Sequence, residues 1–395
     1  MDLVRLLLIT SIATIIPGQI FRISFGSAAI TFSDVAVFTT VMFFFIYALI
    51  FKKSIILPRK IFFAWVLFLL VALVSTIFAV NNFSIGQILL SSLFLLRFIF
   101  YFLIMVVCAN TVKKDKIDRW MHAALTVGVL FALVGILQII FAPDLSFLAI
   151  YGWDPHINRL AGSLIDPNFC GGLLTVFLAI ALSLYLYKRK NIYIFCAFLF
   201  SLSIILTFSR SSYLALIAAV AIIGLIKSPR TIIVGATLFA LVFFASPKAR
   251  DRVGGAFALD ETAQARLESW RSAFSIFRQN FVLGVGFNTY RYAQEKYGNF
   301  SFDNPLGGHS GAGSDSSFML VLATTGILGF LAFLLFILSI IGQTKKNIKS
   351  DYLQLSSAAS FLAILIHSQF VNSLFYPQIM VVVWFIVGLS YAKNN

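Results

Sequence analysis

The sequence predicts an all-α polytopic membrane protein, and three observations carry that prediction. Of its 395 residues 60% are hydrophobic and only 11% charged, with a mean hydropathy of +0.95. The apolar residues come in continuous runs near the ~20 residues a helix needs to cross hydrocarbon, not in the short alternating segments of a β-barrel. Lys and Arg are bunched in the short segments after every second run, the pattern of cytoplasmic loops.

Taken in order, the predicted spans are residues 3–20, 28–51, 61–80, 85–109, 120–141, 169–187, 192–208, 212–226, 231–245, 318–343, 353–370 and 374–392. The first carries one Arg and no small-residue cleavage site before a soluble domain, so it reads as a span and not as a secretory signal. Spans seven and eight meet at Ser209-Arg210-Ser211 with almost no loop, and a re-entrant pair is the alternative there. Eighteen of the 30 Lys and Arg residues fall beside the termini and after the even-numbered spans, whereas the opposite short loops hold only Arg22, Arg159 and Arg210. Both termini are therefore expected in the cytoplasm. The same placement accounts for the net charge of +15 by topology and anionic headgroups, so no nucleic-acid partner is expected. Cys108, Cys170 and Cys196 lie in or beside apolar runs without metal-ligand spacing and read as small core residues.

Residues 246–317 interrupt the apolar pattern with about a third of all charges, which excludes a span. The expected organisation is a bundle of nine spans (1–245), a large outer-face loop domain (246–317) and three further spans (318–395). Within the loop Ala263, Leu267, Trp270, Phe274, Phe277 and Phe281 recur at spacings of four and three, marking an amphipathic helix. Asp260-Glu261-Thr262 suits its start and Asn280 its stop. Arg266 borders one edge of that stripe, with Arg271 and Arg278 at the other, an arrangement suited to the headgroup plane.

The polar groups that are not basic cytoplasmic residues gather on one face. Arg210 in LTFSRSSYLA admits two readings, an interfacial arginine reaching to headgroups or a planar fork for phosphate. Ser209, Ser211 and Ser212 give it a polar setting. Arg159 and GSLIDPNFCGG make a second cluster, with Pro167 starting a span and Asp166 or a neighbour capping it. Candidate general bases are Asp315, His309, Asp303 and His367. There is no Asp-x-Asp and no His-Glu-x-x-His, so no metal is expected. Gly284-Val285-Gly286 has no strand before it, hence no dinucleotide fingerprint and no expected cofactor. A lipid or polysaccharide transporter is the rival class. It would more often show ionisable groups at mid-membrane in both halves, whereas here the mid-span ion is Arg97, with Asp34 and His122 near span ends.

Four patches in chain order resemble the O-antigen ligase and polymerase superfamily, bacterial membrane enzymes that move whole glycans from a polyprenyl-pyrophosphate carrier. They are RLAGSLIDPNFCG, TFSRSS, RLESWRSAFSIFRQNFVLGVGFNTY and DSSFMLVLATTGILGFLAF. In ligases the last patch usually opens with His. Here that position is Asp315, while Ser316, Gly326 and Gly329 keep the register and His309 lies six residues earlier. This departure favours a polymerase, or a ligase to another acceptor, over a lipid A–core ligase, and the alternative reading is an O-antigen ligase to lipid A–core or another acceptor. The resemblance implies transfer of a lipid-linked oligosaccharide to a sugar hydroxyl at the outer face of a bacterial plasma membrane. Arg210 and Arg266 would clamp the pyrophosphate, and Asp315 would orient or deprotonate the acceptor. Arg159, Arg271, Asn168, Ser209, Ser211, His309 and His367 would contact substrate. Membrane lipids and a chain-length regulator or flippase are the further partners implied. An isolated Asp titrates near ~3.9 and His near ~6.5, so an aspartate base is expected to work at more acid pH than a histidine.

Overall fold

The computed structural model describes residues 1–25, 28–298, 313–344 and 347–392. His309 and Asp303 lie outside the described residues. In chain order the elements are α1 (Asp2–Ala13), β1 (Arg22–Phe25), β2 (Ala28–Thr31), α2 (Phe32–Ile50), α3 (Arg59–Phe78), α4 (Ile85–Thr111), α5 (Ile117–Phe141) and α6 (Pro167–Lys188). They continue with α7 (Asn191–Leu206), α8 (Arg210–Ile226), α9 (Pro229–Ala245), α10 (Pro247–Phe257), α11 (Glu261–Gln279), α12 (Tyr290–Lys296), α13 (Ser317–Thr344), α14 (Tyr352–His367) and α15 (Pro377–Leu389).

Each of the twelve predicted runs carries a helix, yet among the described residues only α2 to α6 and α13 are long and apolar enough to cross a membrane; α9 with α10 makes a seventh if one span bends by 102°. The other apolar helices are shorter. α1 stops at Ala13, and α15 waits for Pro377 at its first turn. Residues 28–31, expected to open the second span, instead form a hairpin strand paired antiparallel with β1, Arg22 opposite Thr31. Thr31 explains the boundary. It is the N-cap of α2, and Thr31 and Asp34 satisfy each other's backbone N–H groups in a capping box.

α6 is the axis of the bundle, with α7, α8 and α14 packed on it. Its small residues permit that closeness. A Cβ on Gly171 would come within 2.2 Å of Ser212 Oγ, and one on Gly172 within 2.9 Å of the His367 ring. A second group, α3, α4, α13 and α15, interlocks through aromatic rings, including Trp65 stacked on Phe102 at 4.1 Å and Phe336 against Trp384 at 5.7 Å. Large apolar side chains such as Leu49, Phe63, Ile85 and Phe195 point outward, as they do where the solvent is lipid.

The stretch that carries α11 is joined to α13 through glycine. α13 breaks at Gly326 (φ 63°), and the Gly284-Val285-Gly286 turn fills the break. Val285 N donates to Ala323 O (3.1 Å), Gly286 N to Thr324 O (2.9 Å) and Ile327 N to Phe281 O (2.9 Å). A Cβ on Gly284 would lie 2.4 Å from Thr324 C, and one on Gly326 2.3 Å from Val282 O. The Gly-x-Gly motif is thus a backbone joint that seats α11 above the bundle.

Candidate active site

The N-termini of α6 and α8 are drawn together beside the start of α11. Asp166 caps α6, accepting from Asn168 N at 2.6 Å and Phe169 N at 3.2 Å. Asn168 Oδ1 in turn accepts from Ser209 Oγ at 2.7 Å, and Ser209, the N-cap of α8, lies 3.0 Å from Ser211 Oγ. Burial pushes the Asp166 carboxyl up, partly offset by the amides it accepts from. These helix ends floor a cavity of about 960 Å³.

Among the described residues seven arginines line it, Arg22, Arg97, Arg159, Arg210, Arg252, Arg266 and Arg291, against the three aspartates Asp154, Asp166 and Asp315. The arginines are not equivalent. Arg97 forks onto Asp34, Nε to Oδ1 at 2.7 Å and Nη2 to Oδ2 at 2.9 Å. Arg159 Nε donates to Thr207 O at 2.9 Å, closing the C-terminus of α7, and burial lowers its pKa to about 10. Arg210 Nη2 donates to Asp260 at 2.5 Å and to Thr262, tying α8 to the start of α11. Burial raises the Asp260 carboxyl, but hydrogen bonds from Arg210, Ala263 N and Thr262 outweigh it and hold it at about 2. Arg266, in contrast, has no hydrogen bond or ion pair among the described residues. Burial lowers its pKa, and the nearby Asp315 charge opposes that shift.

Asp315 lines the same cavity, near enough to Arg266 for their charges to interact. Its amide donates to Ser269 Oγ at 3.1 Å, whereas its carboxyl has no hydrogen bond among the described residues. Burial raises its pKa to about 6, with Arg266 holding it back and Asp166 and Asp154 adding to the rise. This revises the pH expectation: a buried Asp315 titrates where an ordinary histidine does, so the acid-side contrast between the two disappears.

The cavity therefore brings together Arg159, Asn168, Ser209, Arg210, Arg266 and Asp315. Ser211 is buried behind Ser209. His367, fully buried, lies below with Nδ1 2.6 Å from Ser373 Oγ and Nε2 3.4 Å from Ser212 Oγ. Arg271 and Arg278 are exposed and off the cavity. The buried face of α11 runs through Ala273, Ile276 and Phe277, leaving Phe274 and Phe281 about half exposed. That rotation from the predicted stripe carries Arg266 inward instead of along its edge. Sequence reasoning passed over Arg252, Arg291, Asp154 and His156. Arg252 is embedded in a basic run and Arg291 follows the Gly-x-Gly joint, and neither carries a motif of its own. No group of three or more His, Cys, Asp or Glu side chains able to hold a metal occurs among the described residues.

Fold and site together define a helical membrane protein with a cationic cavity at one end of its bundle. Residues 194–334 match the family model described as O-antigen ligase, so that the resemblance to the O-antigen ligase and polymerase superfamily stands confirmed over that stretch. The match takes in Arg210, Arg266 and Asp315. No curated protein matches the chain.

Proposed function

We propose that the protein transfers an oligosaccharide from a polyprenyl-pyrophosphate carrier to an acceptor sugar hydroxyl, at the outer face of a bacterial plasma membrane. The observation that carries this reading is the meeting of Arg266 and Asp315 on one cavity, both mostly buried and neither side chain hydrogen-bonded among the described residues. Buried charged groups without hydrogen bonds among the described residues are suited to a charged or polar ligand. The lysine and arginine distribution supports an outer-face position for this end of the bundle.

The chemistry asks little beyond positioning and charge. As the acceptor oxygen bonds to the anomeric carbon, the bond from that carbon to the carrier phosphate breaks and its electron pair leaves on the polyprenyl pyrophosphate. Arg266, supported by Arg159 and Arg210, stabilises the charge that develops there. The acceptor's proton passes to Asp315, whose pKa of about 6 leaves most of it ionised at neutral pH yet basic enough to accept. Asp315 at the family's histidine position favours polymerisation of repeat units over transfer to lipid A–core.

The test is reconstitution of the purified protein with lipid-linked repeat units and no nucleotide. Chain growth to longer lipid-linked glycans is the expected result. Transfer only to a different acceptor would make it a ligase, and translocation without any new glycosidic bond would make it a transporter.

A further inference from the structure

Arginines and Asp315 account for most of the cavity wall, but the segment joining α5 to α6 presents a different chemistry. It is a closed loop. Asn158 N donates to Pro143 O at 2.7 Å and Leu145 N to His156 O at 2.9 Å, while Lys248 Nζ of α10 donates to Asn158 O at 2.7 Å. Thus held, the loop turns Trp153, Asp154 and His156 into the cavity. The Arg22 guanidinium lies 4.4 Å from the Trp153 ring centroid, which fixes the ring against the hairpin.

His156 is only 8% exposed, and its Nε2 is buried without a hydrogen-bond partner among the described residues. Ser314, next to Asp315 and 3% exposed, has an equally unpartnered Oγ on the same cavity. Buried polar atoms of this kind are seldom left unmatched, so both point to a ligand group or ordered water that completes them. Burial, with Arg159 and Arg252 nearby, lowers the His156 pKa to about 4. The ring is therefore neutral at physiological pH. A neutral imidazole and a serine hydroxyl exchange single hydrogen bonds with hydroxyls, whereas a phosphate is better matched by the arginines beside them. An aromatic ring, a carboxylate and neutral hydrogen-bonding groups together suit a sugar, which offers apolar C–H faces and a rim of hydroxyls. Asp154 is also close enough to Asp315 to raise its pKa, so this wall borders the proposed base.

We propose that Trp153, Asp154, His156 and Ser314 form a sugar subsite beside the phosphate-binding arginines, with His156 Nε2 and Ser314 Oγ each engaging a glycan hydroxyl. The inference rests on the glycan-transfer reading above and names the part of the cavity that holds the sugar itself.

Three probes separate the contributions: farnesyl pyrophosphate, which has no sugar; lipid-linked oligosaccharide extracted from cells that make the protein; and the free oligosaccharide released from it by mild acid. His156→Phe should bind farnesyl pyrophosphate within about twofold of the wild type but at least one glycan probe about 10-fold more weakly, the worth of one or two neutral hydrogen bonds. Its melting temperature should not fall, because an apolar ring replaces an unmatched nitrogen. His156→Gln, which keeps a hydrogen-bonding group, should recover much of the loss, and Ser314→Ala should repeat the selective defect. Weakening confined to the free oligosaccharide assigns the subsite to the acceptor, and weakening confined to the lipid-linked form assigns it to the donor. Equal weakening for farnesyl pyrophosphate and the glycans, or none for either glycan, overturns the proposal. The transfer reading fails separately, if the wild type shows no binding of farnesyl pyrophosphate that depends on Arg266.

Discussion

The two ends of α6 hold charge in opposite ways. They are separated by its 22 residues, roughly 33 Å at 1.5 Å per residue. At the Lys188 end, Lys188 Nζ and Tyr352 OH both donate to Asp118, joining α5, α6 and α14. The Lys188 ammonium also lies 4.9 Å from the Tyr352 ring centroid, and His122 Nε2 is 2.7 Å from Tyr193 OH close by. At the Asp166 end the cavity collects arginines in excess of aspartates, and Arg266, Asp315 and His156 have polar atoms that the described residues leave unmatched. Charges that hold a fold find their partners within the chain. Charges set aside for a ligand are kept apart by it, at some cost in stability.

Substitution at the two ends should separate along that line. Arg266→Ala is expected to lower glycan transfer about 100-fold or more, by removing a donor to the developing phosphate charge, with no fall in melting temperature. Arg271→Ala, five residues on but exposed, should stay within about twofold of wild type. A marked loss of stability in Arg266→Ala would mean that this arginine holds the fold as Lys188 does. At the other end, Asp118→Asn should lower stability by about 1 kcal/mol, a modest value because Asp118 is half exposed and solvent screens the pair. Its transfer rate per folded molecule should be within about twofold of wild type. A transfer defect without destabilisation would erase the contrast between the ends.

Much of the scaffold was legible in the sequence because apolar runs, caps and glycines report local physics. The positions of the apolar helices, the Asp166–Pro167 start of α6 and the extent of α11 up to Asn280 all follow from such signals. The short helices were harder. Hydropathy alone does not register that Thr31 ends a hairpin or that Pro377 delays α15. In the site, the four motif patches pointed to Arg159, Arg210, Arg266 and Asp315, yet the facing of α11 depended on tertiary packing at Ala273 and Ile276. Nor did any local pattern mark His156 and Asp154, which reach the cavity because Pro143 and Asn158 close their loop. The pKa of Asp315 is likewise a property of burial and neighbours, invisible to residue type.

The central claim is that Asp315 acts as the base of glycan transfer, and the pH dependence of kcat/KM tests it most directly. Only the ionised carboxylate accepts a proton, so wild-type activity should rise with pH through a midpoint at about 6. Asp315→Asn should retain less than about one part in a hundred of that activity, the lower end of what a general base contributes, and lose the limb. Its stability should move the other way. The folded pKa lies above the unfolded value of ~3.9, so ionisation of Asp315 weakens the wild-type fold as pH rises from about 4 to about 6. The asparagine variant escapes that weakening and at neutral pH should melt no lower than wild type. Near-normal transfer by Asp315→Asn, with the midpoint still at about 6, would contradict the account.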